Sequence, residues 1–112
     1  MPLYLVRHAP VALEATCYGQ IDVPISIAAH DAAQRVRSRL PRYSESVRVW
    51  SSPLARCLEL ARAYTERVNS DSRLMEASFG LWEGLAWDEV HAQYPAEMAS
   101  WGENWLQVGP PG

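Results

Sequence analysis

The stretch VRVWSSPLARCLELA, residues 47–61, changes its period half-way along. Val47-Arg48-Val49-Trp50 is β-branched and aromatic and reads as a short strand. Ser52-Pro53 is then a strong helix start. The serine is placed as N-cap, and the proline supplies a preset φ at the first helical position, where its missing N–H costs nothing. Leu54, Leu58, Ala61, Thr65 and Val68 continue on one helix face. A strand feeding directly into a helix is the unit from which parallel α/β sheets are built.

The same alternation extends on both sides. Leu3-Tyr4-Leu5-Val6 reads as a buried strand that ends on Arg7-His8. Residues 9 to 25, with Pro10, Gly19 and Pro24, read as a long loop. Ala29, Ala33, Val36 and Leu40 predict an amphipathic helix over 28–40, with Ser26 as a candidate cap and Pro41 as its stop. Residues 72 to 76 read as a third, weaker strand. Gly80 and Gly84 break the chain, a helix over Trp87–Tyr94 follows, and Pro95 starts another toward Trp105. The tail VGPPG reads as irregular. The expected fold class is α/β with parallel strands and right-handed crossovers, as one domain over 1–112.

Composition bounds the function. A 48% hydrophobic, 21% charged chain suits a packed globular domain. The net charge of −3 gives no bulk attraction for nucleic acid or an anionic membrane, and neither is expected as a partner. No apolar run approaches the roughly 20 residues of a membrane span, and Leu3–Val6 is too short for a signal peptide's apolar core. Cys17 and Cys57 stand apart without a CxxC spacing and read as reduced thiols of a cytoplasmic protein. All ten basic residues are arginines; no mechanism is drawn from that.

Open α/β sheets bind ligands beyond the carboxyl ends of their strands. Arg7 and His8 lie at one such end, and Arg56 lies in the first turn after the next strand. Singly, Arg7-His8 also reads as an ordinary solvated strand end, and Arg56 as an ordinary surface arginine. Together, beside a helix N-terminus, they make an anion site with fixed charge and bidentate donors. His30 and His91 read as structural residues on polar helix faces, and no metal site is expected. Trp82, Trp87, Trp101 and Trp105 read as core or pocket wall. Glu83 reads as a surface carboxylate. Glu76 draws more interest, since it ends a strand ahead of a glycine loop.

Four segments in order, LVRHAP, CYGQIDVPIS, SSPLARCLELA and EASFGLWEG, resemble the histidine phosphatase superfamily, in its phosphoglycerate mutase-like form and in what reads as its branch 2. The resemblance runs from Leu3 to Gly112. It implies a three-layer α/β/α fold with a mostly parallel sheet, of which this chain is the N-terminal portion. His8 matches the family nucleophile, phosphorylated on a ring nitrogen. Arg7 and Arg56 match the two phosphoryl-holding arginines. Glu76 matches the carboxylate that protonates the leaving oxygen, while Glu83 is family-typical but not the acid. CYGQIDVPIS and WGENWLQVGPPG look most like alpha-ribazole phosphatase-like members, which act in cobalamin assembly. The implied activity is hydrolysis of a small phosphorylated substrate without a cofactor.

The sequence also departs from the family. Ala9 and Ala29 stand where glycines are usual. The family carries a second pocket histidine later in a longer chain, and neither His30 nor His91 matches it. Three activities stay open on these residues: a phosphomonoesterase, a mutase-type phosphotransferase, and a catalytically impaired phosphate-binding or interaction module. Missing sheet strands would leave apolar surface uncovered, so homo-oligomer formation is expected.

Overall fold

The computed structural model describes residues 2–41 and 47–112. The chain divides into two compact units. One comprises Met1–Ala12 and Asp22–Met75; the other comprises Leu13–Ile21 and Glu76–Gly112.

The first unit is a β-α-β arrangement with one further helix. Helix α1 spans Ala29–Arg39, strand β1 Val49–Ser51, helix α2 Ala55–Tyr64 and strand β2 Val68–Ser70. The strands pair in parallel, Val49 with Val68, Trp50 with Asn69 and Ser51 with Ser70. The Asp71 N–H extends the ladder to the Ser51 carbonyl at 3.1 Å. Helices α1 and α2 pack together, and α2 also packs on β1. Ala32, Ala33 and Leu60 form the centre of that contact, flanked by Ala9, Ile25, Ile27, Val36, Ala63 and Tyr64. The small side chains let the two helix backbones approach closely. Leu40 leaves helical geometry ahead of Pro41, as the restriction on a residue preceding proline requires.

The helix periodicity of this unit is legible in its sequence, but its strands and caps are shifted. Leu3–Val6 is not a buried strand. It has no sheet partner among the described residues, and Leu3 and Leu5 are 83% and 90% exposed. Its apolar composition suits a parallel strand covered on both faces, but a strand forms only against a neighbour, and the sheet here has the order β1-β2 alone. Helix α2 stops at Tyr64, so Val68 belongs to β2 and not to the helix face. Thr65 turns the chain by accepting the Arg67 N–H on its own hydroxyl, 3.3 Å away, a local bond that competes with helix continuation. Residues Ser72–Leu74 are a 3₁₀ turn rather than a third strand. Asp71 caps that turn by accepting the Arg73 N–H at 2.9 Å and pairs with the Arg73 guanidinium. Ser26 does not cap α1. Its hydroxyl and N–H both donate to the Pro10 carbonyl, at 3.1 and 2.8 Å.

The second unit is helical and aromatic. A 3₁₀ turn at Gly80–Trp82 leads to α3, Trp87–Gln93, and α4, Pro95–Asn104. Glu89 reaches back to accept the Ala86 N–H at 2.9 Å, which secures the start of α3, and Pro95 opens α4. Cys17, Trp82 and Val90 are fully buried, and Phe79, Trp87, Tyr94, Met98 and Trp101 pack around them. Trp101 stands edge-on to Trp82 at 5.8 Å and to Phe79 at 6.0 Å, the arrangement the ring quadrupoles favour. Trp105 lies outside this core and is 64% exposed, because α4 ends before it. The tail is held at Pro111, whose carbonyl accepts the Leu81 N–H at 2.7 Å. Gly80 adopts φ +54°, and a Cβ there would collide with that same Pro111 carbonyl. Among the described residues, no helix is long and apolar enough to cross a membrane.

Candidate functional site

In the first unit, Arg7 and His8 stand outside helix and strand, just before Ala9, which packs against the α1–α2 core. His8 is half-buried, and its Nδ1 lies 2.6 Å from the Ala9 carbonyl oxygen. A carbonyl oxygen can only accept, so Nδ1 carries the proton in that contact. In the neutral ring the proton on Nδ1 leaves Nε2 unprotonated. Arg7 is exposed.

Arg56 is 2% exposed, the most buried position of the α2 first turn. Ser51 and Ser52, both buried, precede it. The Ser51 hydroxyl donates to the Ser52 carbonyl at 2.8 Å, and the Ser52 hydroxyl accepts the Leu54 N–H at 3.2 Å. Ser52 therefore orders the approach to the helix, while Leu54 is the N-cap residue and Pro53 lies outside the helix. The Ala55 N–H, at 2.6 Å, is taken by the Asp22 carboxylate. The α2 N-terminus is thus supplied with an anion by the chain itself, and Ala55 does not offer the open backbone donor that the sequence suggested. Asp22 lies within the CYGQIDVPIS segment, where nothing in the local pattern marks it as a cap for a helix so far along the chain.

Glu76 belongs to the second unit and is exposed. Its Oε1 accepts the N–H of the following Ala77 at 2.8 Å, and its main-chain carbonyl accepts the Gln20 side-chain amide at 3.2 Å. Glu83 is half-buried rather than a free surface carboxylate. Its Oε1 accepts the N–H groups of Gln20 at 2.8 Å and Phe79 at 3.1 Å. Its Oε2 accepts those of Gly19 at 2.9 Å and Ile21 at 3.3 Å. Burial pushes the Glu83 carboxyl up, but the four backbone donors outweigh it and hold the group below the usual carboxylate value. Gly19 is needed for this approach, because a Cβ there would collide with the Ala77 carbonyl. Behind it, the Cys17 thiol is pushed up to about 11 by burial and by the Glu83 charge. The sequence reading missed the roles of Gln20, Asp22 and Glu83. The available signal for Glu83 was a carboxylate set between Gly80 and Gly84, where turns expose backbone donors.

His30 and His91 are exposed helix residues, with Gln34 and the Trp87 carbonyl as respective neighbours. Cys17 and Cys57 are free thiols. Among the described residues, no group of three or more His, Cys, Asp or Glu side chains is arranged to hold a metal ion.

Residues 3–112 match the family model described as histidine phosphatase superfamily (branch 1). The chain belongs to the histidine phosphatase superfamily. The match is to branch 1, which corrects the branch 2 reading of the sequence. The chain is 32% identical over 107 residues to phosphoserine phosphatase 1 of Hydrogenobacter thermophilus, covering 90% of this chain and 50% of that protein. Among solved structures it resembles a mycobacterial glucosyl-3-phosphoglycerate phosphatase, with a TM-score of 0.71 at 28% identity over 94% of this chain and 51% of that one. It also shares its fold with the alpha-ribazole phosphatase of Shigella flexneri, with a TM-score of 0.80 at 22% identity over 94% of this chain and 55% of that one. The parallel sheet and packed helices are those of the phosphoglycerate mutase-like α/β fold. This histidine phosphatase chain spans about half the length of the curated relatives it matches.

Proposed function

We propose that this chain carries the phosphoryl-accepting residues of a phosphomonoesterase that works through a phosphohistidine at His8. The observation that carries the reading is the contact between His8 Nδ1 and the Ala9 carbonyl. It presets the tautomer in which Nε2 is the nucleophile, on a residue that directly follows Arg7. In the first step Nε2 forms a bond to phosphorus as the ester P–O bond breaks. The leaving alkoxide takes the proton of Glu76, the role this proposal gives that carboxyl. In the second step water attacks phosphorus, Glu76 takes back a proton, and the P–N bond breaks to release phosphate. Arg7 and Arg56 neutralise charge on the phosphoryl oxygens in both steps. Burial fixes the Arg56 guanidinium in place, which suits a group that must not reorganise during transfer.

The proposed substrate is a small phosphate ester of an alcohol. Support comes from the substrates by which similar proteins are named, phosphoserine, glucosyl-3-phosphoglycerate and alpha-ribazole phosphate. The family membership is consistent with a cytoplasmic enzyme, the location we propose.

Rapid quench with a ³²P-labelled phosphomonoester is expected to trap acid-labile label on the parent chain and none on His8→Ala. Arg56→Lys keeps the charge but loses the fork, and is expected to weaken vanadate inhibition about 10-fold or more. Label surviving in His8→Ala would sink the covalent step. Vanadate binding without turnover on phosphoserine, alpha-ribazole phosphate or an aryl phosphate would favour a binding module, and phosphoryl transfer to an added alcohol in place of water would favour a mutase.

A further inference from the structure

The CYGQIDVPIS segment carries two bonds that the proposed phosphoryl transfer does not itself use. One is the Gln20 side-chain amide on the Glu76 carbonyl, and the other is the Gln20 N–H on Glu83 Oε1. Both belong to the second unit, and they join three points of the chain that are distant in sequence. Glu83 uses both oxygens fully, taking Gln20 and Phe79 on Oε1 and Gly19 and Ile21 on Oε2. Phe79 is on the segment that follows Glu76, and Gly19, Gln20 and Ile21 are on the segment that faces it. One carboxylate therefore ties both segments, and Gln20 ties the second directly to the main chain of Glu76.

A half-buried carboxylate with four backbone donors is a rigid joint. Each donor would otherwise be an unpaired N–H at a turn, and the charge strengthens every bond. Phe79 also packs against the Trp82–Trp101 core, so the joint is anchored to the most rigid part of this unit. Glu76 itself is exposed, and two hydrogen bonds hold it: its carboxylate accepts the Ala77 N–H and its main-chain carbonyl accepts the Gln20 side-chain amide.

We infer that Glu83 and Gln20 are positioning residues which, through the loop they clamp, aim the Glu76 carboxyl for proton transfer. This rests on the phosphomonoesterase reading above. Titratable groups facing the clamp are Glu76, through Gln20, and Cys17, whose thiol feels the Glu83 charge.

Gln20→Ala removes the bond to Glu76 and keeps the backbone bond to Glu83, so it is the milder variant; Glu83→Gln removes the charge and leaves a single acceptor oxygen. A proton donor matters most when the leaving group is poor. Both variants are expected to lower kcat on an alkyl phosphate by about 10- to 100-fold, while changing kcat on p-nitrophenyl phosphate by less than about threefold. A purely structural role would lower both alike, and that equal loss overturns the inference. A second readout does not need turnover. In ¹³C and ¹⁵N NMR of the chain, the Glu76 carboxyl carbon shift and the Ala77 amide shift are expected to move in both variants. If both stay at their parent positions in Gln20→Ala, the inference is wrong, whatever the activity. Absence of turnover in the parent, with the Glu76 and Ala77 signals still moving in both variants, would instead count against the phosphatase reading and leave the clamp standing.

Discussion

Glu83 read from sequence as a surface carboxylate, and in the structure it is the acceptor for four backbone donors. Its pH behaviour follows from the sign of that change. The folded-state pKa is lowered below the ordinary value of 4.5. The clamp's contribution to stability is therefore fully present above 4.5, and it is lost as pH falls through the lower folded value. Urea unfolding of the parent between pH 7 and pH 3 is expected to show a decline across the acid range, and Glu83→Gln is expected to start less stable at pH 7 and decline less. Parallel curves for the two proteins would mean that the four bonds do not favour the ionised form. His8 shows the opposite situation, for its identity and its place after an apolar run were plain from sequence. Only the bond to the Ala9 carbonyl assigns its tautomer, and that bond depends on how the backbone turns after Val6.

At the scale of elements, α2 depends on a group from outside itself. Asp22 accepts the Ala55 N–H at 2.6 Å and sets a negative charge at the positive end of the helix. Asp22→Ala is expected to destabilise the chain by about 0.5–2 kcal/mol. A thermal melt would register that as a drop of several degrees in Tm, and an unchanged Tm would show the cap to be idle. The helices were well forecast, because a repeat of Ala29, Ala33, Val36 and Leu40 carries its own period and Pro41 and Pro95 punctuate locally. The strands were only partly so: the strand expected at Val47–Trp50 overlaps β1, while those expected at Leu3–Val6 and 72–76 did not form. Val68 fits the spacing of α2 equally well, and the Thr65 hydroxyl bond that stops the helix is a competition between two local structures of similar energy. Ser72–Leu74 became a 3₁₀ turn, with Asp71 at its N-cap taking the Arg73 N–H and guanidinium.

For the molecule as a whole, the exposed segment Leu3–Val6 is expected to drive association in solution. Leu3 and Leu5, at 83% and 90% exposure, present apolar side chains to solvent. Light scattering is expected to show concentration-dependent association of the 112-residue chain. A Leu3→Glu, Leu5→Glu double variant should reduce it. A parent that stays monomeric across the measured range would contradict this. The sequence alone determined the family, the helix periods, and the identity of His8, Arg7, Arg56 and Glu76 as the residues to watch, since motifs and amphipathic repeats are written in consecutive positions. The tertiary structure alone decided that Leu3–Val6 stays outside the sheet among the described residues, that Asp22 caps α2, and that Gln20 and Glu83 tie the Glu76 loop. Each of these is a hydrogen-bonding outcome between segments far apart in the chain, and a backbone donor accepts whichever carboxylate or carbonyl the fold brings within about 3 Å, for which no local pattern is required.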